Sequence, residues 1–397
     1  TAIVVRGDGT IAAVERGASA EADAMATVHG DESVRILRLS ADEILVPGFI
    51  DAHVHLPQAP FAGAGVDRPL LAPDGFLRRH AFPTETRVGA MDRQAARDFY
   101  GSVLAHLTRT GTTTAVAFGS DSVASTCSLV DAATIAGAVA PRVWAGVVSM
   151  DELAPAGRRP STAQQVLEEA ETFINYARAQ ERERAPSDEE SAPGGGQGTA
   201  PQRVPLVEPV VTPRFIPSCS AQLLTGLGAL AEKHGCPIQS HLSESPDEVA
   251  LSAQLATSAS GKLSPTDAQV FETHGLLRAP CVLAHAVQMR EGEPEILART
   301  GAAIAHCPLS NFFFAAGALP VRHLTQVVGV DVALGTDVAG GYSSSMLSAM
   351  RAAVIASKAL QFRTRQGSAF ANFQCHSGSE EATQTAGLAS PEDEAAE

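Results

Sequence analysis

Short apolar runs alternate with amphipathic segments along most of the chain. Runs such as residues 112–118 and 281–286 are typical of strands buried on both faces. In segments such as 93–109, 162–179 and 220–234, apolar residues recur every three or four positions, which predicts helices packed by one face. The pattern predicts eight barrel-type strands, at residues 48–55, 112–118, 142–150, 206–212, 237–242, 281–286, 302–307 and 331–337.

Strands that alternate with helices indicate a parallel α/β fold. Eight such units in about 300 residues favour a (β/α)8 TIM-like barrel. The alternative is a doubly wound open sheet, but no G-x-G-x-x-G motif follows an early strand.

The segments outside this alternation have a different composition. Residues 1–46 hold short β-like runs, at 2–5 and 34–39, which predicts a small N-terminal β-domain. Residues 178–203 are charged, rich in Pro and Gly and almost without apolar side chains, so we expect a disordered insertion. The expected domains are therefore 1–46, a barrel at 47–366 that carries the insertion, and an acidic, disordered tail at 367–397.

The amino-acid composition limits the kinds of partner and the cellular location that we expect for this protein. A formal net charge of −15 argues against a nucleic-acid partner, which requires a basic surface. No apolar stretch reaches the length of about 18 residues that a membrane span requires. The six cysteines show no C-x-x-C pairing, which indicates free thiols in a reducing compartment and hence a cytoplasmic protein.

The first candidate chemistry is the pair His53 and His55, at the end of the first predicted strand. Residues two apart on a strand point to the same side, so both imidazoles can reach one metal ion. Zinc accepts such nitrogen ligands. A polar strand face without a metal is the alternative for this pair alone.

Two further ligand candidates stand at the ends of predicted strands. His241 lies near the end of the fifth strand and Asp337 ends the eighth. In a (β/α)8 barrel the carboxyl ends of the strands meet at one face, so these residues and the His53–His55 pair can converge there. Singly, Asp337 is also compatible with a helix N-cap, and His241 with a core histidine.

Three more groups follow predicted strands. Glu244, three residues after His241, is placed to shuttle protons, or alternatively to stabilise a helix N-terminus. His285 ends the sixth strand and could hydrogen-bond a metal-held water or serve as another ligand. His306 ends the seventh strand, where its side chain could instead support the backbone.

Several motifs resemble a known family. Residues 47–55, Pro-Gly-Phe-Ile-Asp-Ala-His-Val-His, are similar to the opening motif of amidohydrolase-superfamily deaminases. Segments of the chain also resemble guanine deaminases, at residues 55–58, 82–85, 212–215, 239–244, 304–308 and 335–341. The resemblance runs from about residue 46 to 359, apart from the insertion.

The resemblance implies hydrolysis of guanine to xanthine and ammonia by a zinc-bound hydroxide. His53, His55, His241 and Asp337 would hold the zinc. Binuclear relatives carry a lysine on strand four, and none is present here, which favours one ion per chain.

The same resemblance implies roles for the remaining site residues. Gln58 and Arg214 would bind the polar edge of guanine, and Phe215 would pack on the purine. Asp337 and Glu244 would move protons, and His285 would steady the attacking oxygen. The family also implies a homodimer.

The sequence departs from the family in two regions. The family usually has a tryptophan within the segment that is residues 72–81 here, where Phe76 is the aromatic candidate. After about residue 359 the resemblance fades, so we expect the small β-domain to lack its returning strands and to be incomplete.

Two other functions stay open at this point. A zinc amidohydrolase acting on another aminopurine, a pterin or a triazine would use the same metal ligands. An inactive, truncated homologue acting as a binding partner is the alternative outside enzymes.

Overall fold

The computed structural model describes residues 1–6, 9–28, 34–153, 161–184, 204–257 and 265–365. The chain divides into two compact units, Thr1–Pro47 and Gly48–Glu397. The predicted domain bounds, with a boundary after residue 46, stay a prediction.

The first unit contains a hairpin and a helix. Strands β1 (Ala2–Val5) and β2 (Ile11–Glu15) pair antiparallel, and helix α1 covers Ala20–Thr27. The prediction of a strand at residues 34–39 was wrong, because that stretch has no strand pairing and most of its apolar side chains are exposed. β2 is the partner of β1 instead, since only residues 6–10 separate the two strands in the sequence, which makes antiparallel pairing local.

The second unit carries the parallel strands. Each predicted strand is found within three residues of its expected ends, and the third and fourth are each split in two. In the described residues these strands are β3 (Phe49–His55), β4 (Thr112–Phe118), β5 (Arg142–Gly146), β6 (Val148–Ser149), β7 (Val207–Pro209), β8 (Thr212–Pro213), β9 (Ile238–Leu242), β10 (Cys281–His285), β11 (Ala303–His306) and β12 (Val332–Leu334).

The strands pair in chain order. One parallel sheet has the order β3-β4-β5-β7, a second has β9-β10-β11-β12, and β6 pairs with β8. Backbone hydrogen bonds join the two larger sheets at both edges. Val211 N–H donates to Pro237 O (2.9 Å), and Asp337 N–H donates to His53 O (2.9 Å). The strand order and these two bonds agree with the predicted (β/α)8 TIM-like fold.

Helices lie between the strands. In the second unit the described helices are α2 (Phe82–Gly89), α3 (Arg93–Arg109), α4 (Val123–Ala136), α5 (Ala163–Arg184), α6 (Ala221–His234), α7 (Pro246–Thr257), α8 (Asp267–Thr273), α9 (Glu293–Thr300), α10 (Pro308–Phe314), α11 (Val321–His323) and α12 (Met346–Arg365). None of the helices in the described segments has the length and apolar content to span a bilayer.

Local sequence explains where these helices begin and which face they bury. Asp92 accepts a hydrogen bond from the Ala95 N–H at the start of α3, and Ser220 caps α6 in the same way. In α3 the buried residues are three or four positions apart, which forms one apolar stripe: Ala96, Tyr100, Leu104 and Leu107.

Two apolar clusters fill the space between strands and helices. The larger one joins β9, β10 and β11 to α5, α6 and α8, and the other joins β3, β4 and β5 to α3 and α4. Inside the barrel the packing is made by small side chains, Ala52, Ala284 and Ala305. This rigid frame fixes the strand ends that carry the candidate site.

One boundary of the predicted insertion was wrong. Residues 178–184 are the last turns of α5 rather than a disordered segment. They are held because the Glu181 carboxylate accepts from the Leu206 and Val207 N–H groups at 3.0 Å each. The rest of that predicted segment, and the predicted tail, lie outside the described residues.

The prediction of free thiols holds for the cysteines within the described residues. Cys127, Cys219, Cys236, Cys281 and Cys307 are free thiols. Cys375 lies outside the described residues.

Candidate metal centre and pocket

Four imidazoles and two carboxyl groups meet at the carboxyl ends of β3, β9, β10 and β12. His53 Nε2 lies 3.2 Å from Asp337 Oδ1, and His55 Nε2 lies 3.5 Å from the same oxygen. His55 Nε2 is also 3.0 Å from His241 Nε2. His285 Nε2 is 3.6 Å from Glu244 Oε2 and 3.9 Å from Asp337 Oδ2.

The outer nitrogens of two imidazoles are held by neighbours. His241 Nδ1 donates to the backbone oxygen of Arg214 at 2.5 Å, and His285 Nδ1 donates to Asn311 Oδ1 at 2.9 Å. Because Nδ1 carries the proton in both rings, Nε2 presents its lone pair to the cluster. This is the arrangement that a metal ligand needs.

The donor set fits a metal ion. His53 Nε2 is fully buried and has no hydrogen-bond partner among the described residues. Burial, followed by repulsion from neighbouring imidazoles and Arg214, holds the pKa values of His53, His55 and His241 well below the usual histidine range. Neutral imidazoles beside a carboxylate form a nitrogen- and oxygen-donor site of the kind that binds zinc and related divalent ions. His53, His55 and Asp337 have ligand atoms within 4.8 Å of one another.

The two carboxyl groups of the cluster are shifted toward the protonated form. Burial, then repulsion from Asp337 and Asp247, raises the pKa of Glu244 well above its ordinary value. Burial also raises the pKa of Asp337. A raised pKa suits a carboxyl group such as that of Glu244 for donating a proton as a general acid.

Backbone strain is concentrated around this cluster. His285 and Asp337 have φ angles of 70° and 48°, in the left-handed region that non-glycine residues rarely adopt. Ser243 and Ala286 have φ angles of 44° and 53°. Such strain persists only where surrounding contacts hold it, and it is frequent at functional sites.

A pocket opens directly over the cluster. It encloses about 420 Å³, including its mouth, and its walls combine apolar and polar side chains. Its lining residues are His55, Gln58, Leu70, Phe76, Leu77, Arg214, Phe215, His241, Glu244, His285, Ser310, Phe314, Asp337 and Gly340. Phe76 therefore occupies the wall where the sequence comparison expects an aromatic side chain.

A buried polar group lies at one side of this pocket. The Glu85 carboxylate accepts from Gln58 Nε2 at 2.7 Å. It also pairs with both terminal nitrogens of Arg214, at 2.6 and 3.1 Å. The Arg214 guanidinium lies 4.9 Å from the centre of the Phe82 ring, within range of a cation–π contact. The pocket thus has hydrogen-bonding groups on one side and apolar walls on the other.

The structure brings together nine of the candidate residues named from the sequence. His53, His55, His241, His285, Glu244 and Asp337 form the cluster, and Gln58, Arg214 and Phe215 line the pocket above it. His306 lies outside the cluster and contacts it through Asn311, whose Nδ2 donates to His306 Nδ1 at 3.3 Å. Burial, then His285, lowers the pKa of His306 to about 4, so it supports the Asn311 side chain as a neutral ring.

Sequence reasoning missed Glu85 and Asn311. Glu85 lies inside a segment that carries the family resemblance, residues 82–85, and Asn311 lies just after another one, residues 304–308. A carboxyl group close to the apolar residues Phe82 and Pro83 was the available signal for Glu85, since an acid that becomes buried needs a partner. Asn311 had no comparable signal, because its partner His285 is remote in sequence.

The fold and the site define a class of protein. The Amidohydrolase family model matches residues 44–381 of this chain. The chain therefore belongs to the amidohydrolase family. The barrel with histidines and an aspartate at its strand ends agrees with that membership.

The relatives within the family are more specific. The chain is 34% identical over 327 residues to the probable guanine deaminase of Schizosaccharomyces pombe, covering 82% of this chain and 56% of that protein. It is 36% identical to the guanine deaminase of Mus musculus, covering 82% of this chain and 64% of that one. The chain thus spans less than two thirds of the length of either relative.

A solved structure has a similar fold. It is the guanine deaminase from C. acetobutylicum with guanine bound in its active site, with a TM-score of 0.67 and 28% sequence identity. The match covers 82% of this chain and 68% of that one.

Proposed function

We propose that this chain hydrolyses guanine to xanthine and ammonia and uses one zinc ion per chain. The observation that carries the proposal is the juxtaposition of the His/Asp cluster with Gln58, Arg214 and Phe215 in one pocket. The similarity to guanine deaminases along 82% of the chain supports the same substrate.

We assign the zinc ligands to His53, His55, His241 and Asp337. The lone pairs of His53 Nε2 and His241 Nε2 face this position, and the hydrogen bond from His241 Nδ1 to the Arg214 backbone oxygen keeps His241 in that orientation. When bound, zinc supplies the Lewis acidity that makes water a nucleophile near neutral pH.

Arg214, Gln58 and Phe215 would orient the substrate. A guanidinium donates hydrogen bonds to the 6-oxo group of guanine, which adenine lacks. The Gln58 amide has both donor and acceptor atoms, which suits a ring edge that presents both. Phe215 is buried and contributes apolar surface for the ring.

Glu244, Asp337 and His285 would handle protons at the reacting carbon, C2. Asp337 takes a proton from the attacking water, and Glu244 gives its proton to N3 and then helps the amino group leave as ammonia. The raised pKa of Glu244 supports this role as an acid. The His285 Nε2 lone pair is placed to accept a hydrogen bond from the attacking water.

A substrate panel tests the proposal. The zinc-loaded chain is expected to release ammonia from guanine and to leave adenine and cytosine unchanged. A pterin and an amino-triazine in the same panel represent the alternative substrates. Faster release of ammonia from either of these compounds would show that it, rather than guanine, is the preferred substrate. No release from any amine by a folded, zinc-loaded chain would favour the inactive-homologue alternative.

The substitution Glu244→Gln provides the matched variant. It keeps the size of the side chain and removes its proton, so kcat on guanine should fall by about 10²–10⁴-fold. Zinc content, measured by elemental analysis, should equal that of the unsubstituted chain. A kcat within threefold of the original, a threshold of about 0.7 kcal/mol, would contradict the role of Glu244.

A homodimer and a cytoplasmic location stay predictions. Sedimentation velocity of the purified chain would determine whether it is a homodimer.

A further inference from the structure

We propose that Glu85 is a positioning residue that determines which purine edge the pocket accepts, by fixing the orientation of both Gln58 and Arg214. This inference rests on the proposed function and extends it to a residue that does not touch the reacting atoms. It starts from the burial of all three side chains, which expose 3%, 2% and 2% of their surfaces for Glu85, Gln58 and Arg214.

Glu85 selects one of two orientations of the Gln58 amide. A glutamine can exchange its oxygen and nitrogen by a half-turn about its last bond, and both orientations have the same shape. An ionised carboxylate only accepts hydrogen bonds, so the 2.7 Å contact with Glu85 Oε1 requires Gln58 Nε2 on that side. Gln58 Oε1 then accepts from the Ala339 N–H at 3.3 Å.

Glu85 also holds the guanidinium of Arg214. The two contacts of 2.6 and 3.1 Å are bidentate, which fixes the plane of the guanidinium as well as its position. The Phe82 ring restricts the same group from another side. Because the carboxylate compensates the positive charge, the pocket offers directed donors without a free cation, which suits a neutral ring.

Orientation matters because two similar purines have opposite hydrogen-bonding edges. Guanine presents an oxygen acceptor at C6 and an N–H donor at N1. The analogue 2,6-diaminopurine presents an amino donor at C6 and an acceptor at N1, while keeping the same 2-amino leaving group. A fixed donor and acceptor pattern therefore discriminates between them, and a reversed or mobile pattern does not.

The substitution Glu85→Gln tests this inference. A glutamine at position 85 has one acceptor and one donor end, so it no longer requires Gln58 Nε2 on its side. The measured quantity is the ratio of kcat/KM for guanine to kcat/KM for 2,6-diaminopurine. This ratio does not depend on the fraction of active protein, because both values come from the same preparation.

The ratio is expected to fall by about tenfold or more in Glu85→Gln, as the loss of one directed hydrogen bond to a charged group implies. KM for guanine should rise more than kcat falls, and zinc content should not change. The control Asp131→Asn also removes a buried carboxylate paired with an arginine, at 2.8 Å from Arg93, but outside the pocket. That control should keep the original ratio.

A purely structural role for Glu85 would lower stability and leave the ratio unchanged, which would overturn the inference. If Glu85→Gln does not fold, Glu85→Asp serves instead. It keeps the charge but is too short to reach both partners, so its ratio should also fall, and an unchanged ratio would again overturn the inference.

The failure of the proposed function can be distinguished from the failure of this inference. If the unsubstituted, zinc-loaded chain releases no ammonia, equilibrium dialysis with guanine and with 2,6-diaminopurine replaces turnover. Preferential binding of guanine that is lost in Glu85→Gln would support the role of Glu85 without the reaction. Equal binding of both purines by the unsubstituted chain would overturn it.

Discussion

Gly340 lies against the Asp337 carboxylate so closely that a side chain has no room. A Cβ at this position would lie 2.7 Å from Asp337 Oδ2 and 2.8 Å from Ser310 Oγ. Contacts this short require the carboxylate to move, and metal sites are sensitive to small displacements of a ligand. The glycine is therefore part of what holds the candidate metal site in shape.

The substitution Gly340→Ala should lower zinc affinity by about 10–100-fold, the usual effect of disturbing the surroundings of a ligand. Competition with a chromogenic chelator measures the affinity. The control is Gly101→Ala in α3, where a Cβ meets no atom within 4 Å. It should stabilise the chain by about 0.4–1 kcal/mol and leave zinc affinity unchanged. Equal affinities for the two variants would refute the packing argument.

At the scale of elements, the side chain of Glu181 connects α5 to β7 by hydrogen bonds. Glu181 accepts from the N–H groups of both Leu206 and Val207, just at the start of β7. The Glu181 carboxylate thus connects the end of α5 to the start of β7, the next strand along the chain. Without it, two backbone donors near the core would lose their partner.

Replacing this side chain, as Glu181→Ala, should lower the free energy of unfolding by about 1–3 kcal/mol. Urea unfolding measures the change, and kcat per folded chain should be preserved because no residue of α5 lines the pocket. Glu183→Ala is the control, since Glu183 is exposed on the same helix and should change stability by less than about 0.5 kcal/mol. Similar losses in both variants would show that the strand contact contributes nothing.

The helix after β9 contains a buried acid that couples stability to pH. Glu248 in α7 exposes 1% of its surface and accepts from the Glu244 N–H at 2.7 Å. Burial, then repulsion from Asp267 and Glu244, raises the pKa of Glu248 well above the ordinary value of a glutamate. The folded state therefore keeps a proton that the unfolded chain releases above its own lower pKa.

The sign of the effect follows from this difference in protons bound. The Glu248 contribution is fully favourable below the unfolded pKa and is lost as pH rises through the higher folded pKa. Glu248→Gln keeps an acceptor for the Glu244 N–H and cannot ionise. Its free energy of unfolding should fall less between pH 5 and pH 8 than that of the unsubstituted chain, by about 1.4 kcal/mol for each unit of raised pKa that lies within this pH range.

Urea unfolding at both pH values checks this. Glu168→Gln, at an exposed position in α5, should keep the original pH dependence. If the free energy of unfolding of Glu248→Gln changed with pH by the same amount as that of the unsubstituted chain, Glu248 would be ionised in the folded state.

At the scale of the whole molecule, the proposed zinc ion joins both parallel sheets. His53 and His55 come from the sheet that begins with β3, whereas His241 and Asp337 come from the other sheet or its edge. An ion that binds these residues only in the folded state stabilises the entire barrel.

Removal of the ion with a chelator should therefore lower the melting temperature. At an ion concentration about 100 times its Kd, binding contributes about 2.7 kcal/mol, which corresponds to a shift of about 5 °C. Differential scanning calorimetry with and without the chelator measures the shift. The variant Asp337→Asn should show a much smaller difference. A chelator effect of the same size in that variant would place the ion elsewhere.

Most of the secondary structure could be predicted from local sequence. The segments 112–118 and 93–109 coincide with β4 and α3 residue for residue, since each has an unbroken period and clear end signals. The strand expected at 34–39 failed for the opposite reason. An isolated apolar run becomes a strand only where a partner strand is available.

The sequence by itself determined the order of strands and helices, the paired histidines at 53 and 55, and the ligand types available at the strand ends. Those features depend on neighbouring residues and on fixed local periods. Only the tertiary structure decided that Asp337 N–H reaches His53 O, that Asn311 orients His285, and that Glu85 pairs with Arg214 across 129 residues. Such contacts depend on the closure of the barrel, which brings distant strand ends to one face and which no local pattern encodes.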